Sequence, residues 1–176
     1  MLKFLNRCKP VSLALAGLLA LSLSTTVLAD SPTLDRVVAG GLLTVAMSGD
    51  QPPFNAVSRD KSLIGFDVDL AQAMASAMKV KLKIVEMPFG ELQAAVKSGK
   101  ADMVMSGMAI TPQRTQDVTF VGPYMMSGKS MLVSAATQAI VKTGADFNKD
   151  GITLVALKNS TSETFVQRKL PNAKLK

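Results

Sequence analysis

Apolar and polar positions along the chain follow two periods that take turns, which predicts strands alternating with helices. Residues 41–48 (GLLTVAMS) form an apolar, partly β-branched run bounded by Gly40-Gly41 and Gly49-Asp50, the pattern of a strand covered on both faces. Asp50 to Arg59 contains Pro52-Pro53 and reads as a loop. From Asp67 onward Leu70, Ala71, Met74, Ala77 and Met78 share one helical face, with Asp67 and Asp69 at the end where the helix dipole favours anions. Val80 to Glu86 alternates apolar residues with Lys81 and Lys83, a strand with one wet face and a charged edge. Leu92, Ala95 and Val96 mark a second helix that stops at Gly99, and residues 101–105 (ADMVM) a short buried strand.

Farther along, Thr111-Pro112 is a helix-start signal, because the hydroxyl caps an orphan N–H and proline fits the first helical position. Val118 to Val121 and Ser130 to Ser134 read as further short strands, and Gln138 to Asp150 as a polar loop with room for one helical turn. Ile152 to Leu157 reads as a buried strand, followed by a helix from Ser162 to Leu170 that Thr161 caps and Pro171 ends. This order predicts an α/β fold with a parallel sheet and right-handed crossovers.

The N-terminus has a different pattern. Met1 to Pro10 is basic, the 13 residues from Val11 to Leu23 are mostly apolar, and Val27-Leu28-Ala29 ends small. These are the regions of an export signal cleaved after Ala29, with an apolar run too short to span a bilayer. Cleavage leaves 147 of the 176 residues and lowers the formal charge from +7 to +4, since the signal carries three cations and no anion. The remaining basic residues are dispersed, so nucleic acid is not implied. The chain contains no histidine, and its one cysteine, Cys8, lies in the signal, which excludes His-dependent nucleophile systems and soft metal sites after cleavage. No cofactor or metal is expected.

In open α/β sheets ligands sit beyond the carboxyl ends of the strands. Here those ends are Ser48 to Phe54, Met87 to Phe89, Ser106 to Arg114 and Lys158 to Ser162, which supply two aromatic faces, several hydroxyls, a lysine and an arginine. Backbone N–H groups at the helix starts after Thr111 and Thr161 add a field suited to an anion. Arg114 falls where a cation opposes the helix dipole, and its fork matches a carboxylate bidentately; the alternatives are a solvated arginine or a pair with Asp117.

PPF at 52–54, GFDVDLA at 65–71, SGMAITPQR at 106–114, FVGPYMMSG at 120–128 and STSE at 160–163 resemble the solute-binding proteins of polar amino-acid ABC transporters. The resemblance implies a type II periplasmic-binding-protein fold: two α/β lobes joined by crossover strands, the ligand enclosed between them. It implies that Arg114 grips the ligand's α-carboxylate with help from Ser106, Gly107 and Thr161. Phe89 would cover the ligand side chain, Lys158 and Ser162 would line the rim of the second lobe, and Tyr124 to Ser130 would hold the first crossover. Residues 30–126 then correspond to lobe 1 and 127–176 to the crossover and the start of lobe 2. The expected setting is the periplasm, with a monomer presenting a polar amino acid or related small carboxylate to an inner-membrane ABC permease.

Three positions depart from the family pattern. Gln51 stands where an aromatic wall of the pocket is usual, Ala109 where a hydroxyl contacts the carboxylate, and Ser48 where aspartate is frequent. Family members also continue beyond the helix equivalent to 162–170, so residues 173–176 read as the opening of a further strand and the chain as a fragment. The methionines at 103, 105, 108, 125, 126 and 131 read as core filling rather than a copper site. Asp67 and Asp69 read as dipole partners, and residues 160–163 as a capped helix start. Two other functions share the fold: an extracellular sensor domain, and a periplasmic dehydratase or lyase-associated domain.

Overall fold

The computed structural model describes residues 31–176, and the export-signal reading of residues 1–29 lies outside these. Helix α1 (Pro32–Gly40) turns through Gly41 into β1 (Leu42–Met47). A small antiparallel sheet follows, made of β2 (Asp50–Gln51), β3 (Asn55–Val57) and β4 (Leu63–Ile64). Helix α2 (Phe66–Ala77) then leads to β5 (Lys81–Glu86). A single 3-10 turn at Phe89–Glu91 runs into α3 (Leu92–Lys97), which precedes β6 (Met103–Val104). The remaining elements are α4 (Ala135–Ile140), β7 (Thr153–Leu154), α5 (Thr161–Lys169) and β8 (Lys174–Leu175).

The main sheet is parallel with the order β5-β1-β6, so β1 is central. Its side chains alternate: Leu43, Val45 and Met47 pack with Val37 of α1 and with Ala71 and Ala75 of α2, while Ala46 joins Phe89, Leu92 and Ala95 on the other face. The expected two-sided burial is therefore observed, and β5 takes the edge with Lys81 and Lys83 in water. Arg36 pairs with Asp102, whose other oxygen accepts from the Thr44 N–H at 2.7 Å, tying α1, β1 and the start of β6 together.

Several expectations need correction. Residues 50–59 are not a plain loop, because Asn55 places β3 between β2 and β4. In α2 the buried positions are Asp67, Ala71 and Ala75, and Ala77 faces solvent. The helix expected after Thr111 is one 3-10 turn, Arg114–Gln116, although the Thr111 hydroxyl does accept from the Arg114 N–H at 3.3 Å. Neither 118–121 nor 130–134 forms a strand, whereas the helical turn allowed for in 138–150 is present, as the end of α4 and a 3-10 turn at Gly144–Phe147. The stretch 152–157 pairs over two residues only and is largely open, with Val155 81% exposed, whereas the strand expected at the end of the chain is present as β8. Helix α5 begins one residue earlier than expected, capped by the Ser160 hydroxyl, which accepts from the N–H groups of Ser162 and Glu163 at 3.2 Å. Among the described residues no helix is long and apolar enough to cross a membrane.

Gly65 explains the glycine in GFDVDLA. It stands before α2 with φ 124°, and a Cβ there would lie 2.5 Å from the Phe54 carbonyl oxygen. The chain doubles back at this point, with the Phe66 and Asp67 N–H groups donating to the carbonyls of Pro53 and Phe54. Gly65→Ala is therefore expected to cost about 1–3 kcal/mol of stability, and a loss below half a kcal/mol in urea denaturation would refute the close approach.

Candidate functional site

The carboxyl ends of β1 and β6 bring Ser48 and Ser106 together. The Ser106 hydroxyl accepts from the Ser48 N–H at 3.0 Å, lies 2.9 Å from the Ser48 hydroxyl, and accepts from Asn55 Nδ2 at 3.3 Å. Both serines are buried, as are Asn55 and Asp67. Asp67 is the hub: Oδ2 accepts from Asn55 Nδ2 at 2.9 Å and from the Gly107 N–H at 3.1 Å, and Oδ1 from the Tyr124 hydroxyl at 2.8 Å. This carboxylate does more than complement a helix dipole, since it pins the 106–107 loop and the 120–130 stretch to α2. Its role was missed because a first-turn acid has an ordinary explanation, and only the contacts of Gly107 and Tyr124 reveal the other.

Ser106 and Gly107, expected to help hold a carboxylate, thus have their polar groups engaged inside the protein. The Ser106 side chain is sealed in, and the Gly107 N–H is committed to Asp67. Gly107 adopts φ 56°, and a Cβ on it would lie 3.0 Å from Gln51 Oε1 and 3.3 Å from the Phe54 ring, so the loop is closely packed there. Gln51 and Phe54 are therefore the neighbours of the loop, so the polar residue at 51 does sit beside it.

Arg114 lies across the buried Phe89, its guanidinium carbon 5.4 Å from the ring centroid. Nη1 donates to the Ala109 carbonyl at 2.8 Å and Nη2 to the Asn159 carbonyl at 3.0 Å. Asp117 is engaged elsewhere, with Lys97 Nζ at 2.6 Å and Gln93 Nε2 at 3.0 Å, so it is not the partner of Arg114. Partial burial lowers the guanidinium pKa from its ordinary value, and among the described residues no carboxylate lies within ion-pair distance of it. The guanidinium has five N–H donors in a fixed fork, and two carbonyls orient it while leaving donors for an incoming oxyanion.

Asn159 joins the two parts of the site. It adopts φ 60°, its amide packs where a Cβ on Gly90 would be 2.4 Å away, and its N–H donates to Glu163 Oε2 at 2.6 Å. Sequence patterning offered no signal for this residue, although asparagine is among the residues that tolerate this backbone region. Thr161 accepts from Lys129 Nζ at 2.7 Å, Lys158 is exposed, and Ser162 lines a separate groove of about 610 Å³ with Lys129, Met131, Leu132, Val155 and Phe165 among its walls. The structure therefore brings Arg114 over Phe89 and onto the Asn159 carbonyl, with Lys158 and Thr161 near Asn159 in sequence, and ties Ser106 and Gly107 to the Asn55–Asp67 pair, with Gln51 against Gly107. Ser162 faces the groove. No group of His, Cys, Asp and Glu among the described residues is arranged to hold a metal ion.

Comparison with known proteins adds three findings. The family of bacterial extracellular solute-binding proteins, family 3, matches residues 43–169. A cyclohexadienyl dehydratase of Pseudomonas aeruginosa is 31% identical over 157 residues, which are 89% of this chain and 59% of that protein. Among solved structures, a binding component of an ABC transporter from Wolinella succinogenes, complexed with lysine, is similar with a TM-score of 0.73 and 39% identity, covering 77% of this chain and 58% of that one. The chain thus spans about three fifths of the length of these relatives.

Tyr124 is the chain's only tyrosine, and the chain has no tryptophan. Burial, and then its hydrogen bond to Asp67, push its phenol pKa well above the ordinary value of 10. A group protonated more tightly in the folded state contributes stability that is complete below the unfolded pKa and is lost as pH rises through the folded one. Absorbance at 295 nm should therefore show no tyrosinate at pH 10 while the protein is folded, and stability should fall as pH climbs past 10. A reversible midpoint at 10 in the folded protein would refute the Tyr124–Asp67 contact.

Proposed function

Because the chain belongs to the bacterial extracellular solute-binding proteins, family 3, with a type II periplasmic-binding-protein fold, we propose that it captures a polar amino acid or related small carboxylate. The observation that carries this reading is the guanidinium of Arg114, oriented over Phe89 by two backbone carbonyls and lacking a carboxylate partner among the described residues. A cation held this way is preorganised for a bidentate oxyanion, which reduces the ordering cost of binding. Phe89 supplies an apolar floor for the rest of the ligand, with Gln51 and Gly107 at the neighbouring wall. Lys158 and Thr161 stand on the opposite side of Asn159, in the part assigned to the second lobe.

In the full reading the protein is exported to the periplasm and residues 30–126 and 127–176 contribute to two lobes. The two close because the ligand binds the closed state more tightly than the open one, and the loaded protein then delivers to an ABC permease. The lysine complex of the Wolinella relative supports an amino-acid ligand. A catalytic reading is favoured by one observation, the similarity to a dehydratase. Against it, Asp67, the one fully buried acid among the described residues, already accepts three hydrogen bonds and serves to hold the loop.

Thermal-shift and calorimetric screening of the full chain against the common amino acids is expected to yield at least one stabilising ligand. Truncating one partner of a buried charge pair typically costs about 2–5 kcal/mol, so Arg114→Ala should weaken that ligand by about 30-fold or more. Phe89→Leu keeps an apolar floor but removes the ring beneath the cation, and a loss of about threefold to tenfold is expected. A ligand whose affinity is unchanged in Arg114→Ala would overturn the assignment, and turnover of a cyclohexadienyl substrate by the same preparation would favour the catalytic reading.

A further inference from the structure

Two turns from distant parts of the chain meet at Arg114. The first is the 3-10 turn Phe89–Glu91, which holds both the ring under the guanidinium and, beside it, Gly90. The second is the turn before α5, where Asn159 contributes the carbonyl that accepts from Nη2. A Cβ placed on Gly90 would have three atoms of Asn159 as its nearest neighbours: Nδ2 well inside van der Waals contact, then Cγ at 3.3 Å and Cβ at 3.4 Å. Rotating the amide would move Nδ2 and leave Cγ where it is, so a side chain at position 90 presses on Asn159 as a whole. Gly90 is not among the described glycines with positive φ, so its backbone does not call for glycine; the space that Asn159 fills does.

Asn159 is itself held at three points. Its N–H donates to Glu163 Oε2 at 2.6 Å, in the first turn of α5, its amide lies against Gly90, and its carbonyl accepts from Arg114. Its φ of 60° is a region that asparagine tolerates and β-branched residues avoid. Of the two carbonyls on the guanidinium, that of Ala109 comes from five residues upstream in the same loop, whereas that of Asn159 comes from 45 residues downstream. A fork held at one Nη alone can swing about that bond. Held at both, it is fixed in the plane that a carboxylate must meet.

We infer that Gly90 and Asn159 are positioning residues for capture at Arg114: the Asn159 turn, seated against Gly90, holds the guanidinium in the orientation that receives an oxyanion, and tight binding requires that seat. The inference rests on the proposed capture at Arg114 and adds the pair of residues on which its geometry depends. Their effect passes through the fork, without a contact to the ligand. Because coupling is reciprocal, a carboxylate that gains affinity from the seat also holds the Asn159 turn in place.

The test uses the full chain and reads the guanidinium directly. In the unliganded protein, nitrogen NMR of the arginine side chains should give separate Nη1 and Nη2 resonances for Arg114, identified by their loss in Arg114→Lys. Gly90→Ala and Asn159→Val should merge them, the first by displacing Asn159 and the second because valine avoids this backbone region. In calorimetry with the common L-amino acids, each supplied singly, the ligand that needs Arg114 should weaken about tenfold in either variant, as for the loss of one charge-assisted hydrogen bond. Asn159→Gly keeps the backbone region and the carbonyl while removing the amide, so Gly90→Ala combined with Asn159→Gly should restore separate resonances and most of the affinity. Merged resonances in the unsubstituted protein, or a Gly90→Ala loss that persists in the double variant, would overturn the inference. Affinity that needs Arg114 yet is unchanged in Gly90→Ala and Asn159→Val would overturn it while leaving the capture at Arg114 standing. No binding of any common amino acid to the unsubstituted chain would overturn both.

Discussion

A carboxylate taken out of water loses a hydration energy of many kcal/mol, and it remains ionised inside a protein only where donors replace the solvent. Asp67 is fully buried, and its donors come from three separated parts of the chain: Asn55 in β3, the Gly107 N–H after β6, and the Tyr124 hydroxyl. Charge-assisted hydrogen bonds of this kind are worth about 1.5–3 kcal/mol each, and the penalty for orphaning the anion is larger still. The loop after β6, the β2–β3–β4 sheet and the stretch around Tyr124 are consequently held as a unit with α2. Gly65 serves the same interaction, because only a residue without a Cβ lets the chain approach closely enough to start α2 with Asp67 pointing inward.

This anchoring has a chemical consequence for recognition. A loop whose N–H groups and hydroxyls were free would read a ligand by hydrogen bonds, but here the Gly107 N–H and the Ser106 hydroxyl are already engaged within the protein. What stays uncommitted there is the set of remaining donors of the Arg114 fork, held over the ring of the buried Phe89. Ala109 fits this division. It offers the site its carbonyl, which orients Arg114, rather than a side-chain hydroxyl that would compete for the ligand.

The central strand and helices α2 and α3 were legible because burial on two faces or one leaves a periodic trace that needs no partner to read, whereas α1 went unread and the end-of-chain strand was read from the resemblance. The short strands of the 50–64 region were not, since two- and three-residue pairings carry no period and β3 is defined by the buried amide of Asn55 rather than by apolar residues. The run 152–157 misled for the opposite reason: it is apolar enough for a buried strand, yet its neighbours among the described residues cover only part of it. At the candidate site, Arg114 and Phe89 were singled out by position, chemistry and resemblance, and the structure sets one over the other. Asn159 was not, because its contribution is a backbone carbonyl, which every residue type possesses, and Asp67 was read only as a dipole partner, without its links to Asn55, Gly107 and Tyr124.

The backbone carbonyl of Asn159 also explains why the site's charge matters beyond local pairing. It accepts from Arg114 in the same turn where Thr161 accepts from Lys129, so two cations, one from each stretch of the chain, are drawn to residues two apart. Fixed cations that a fold leaves unpaired raise the local concentration of anions and speed their capture, an effect that falls within a Debye length of about 8–10 Å at physiological salt. Arg114 belongs to residues 31–126, where nine cations match nine anions in number, so the first stretch contributes to this field through one placed guanidinium rather than through a net charge. The two stretches therefore meet at this turn, the first supplying Arg114 and the second the carbonyl that orients it.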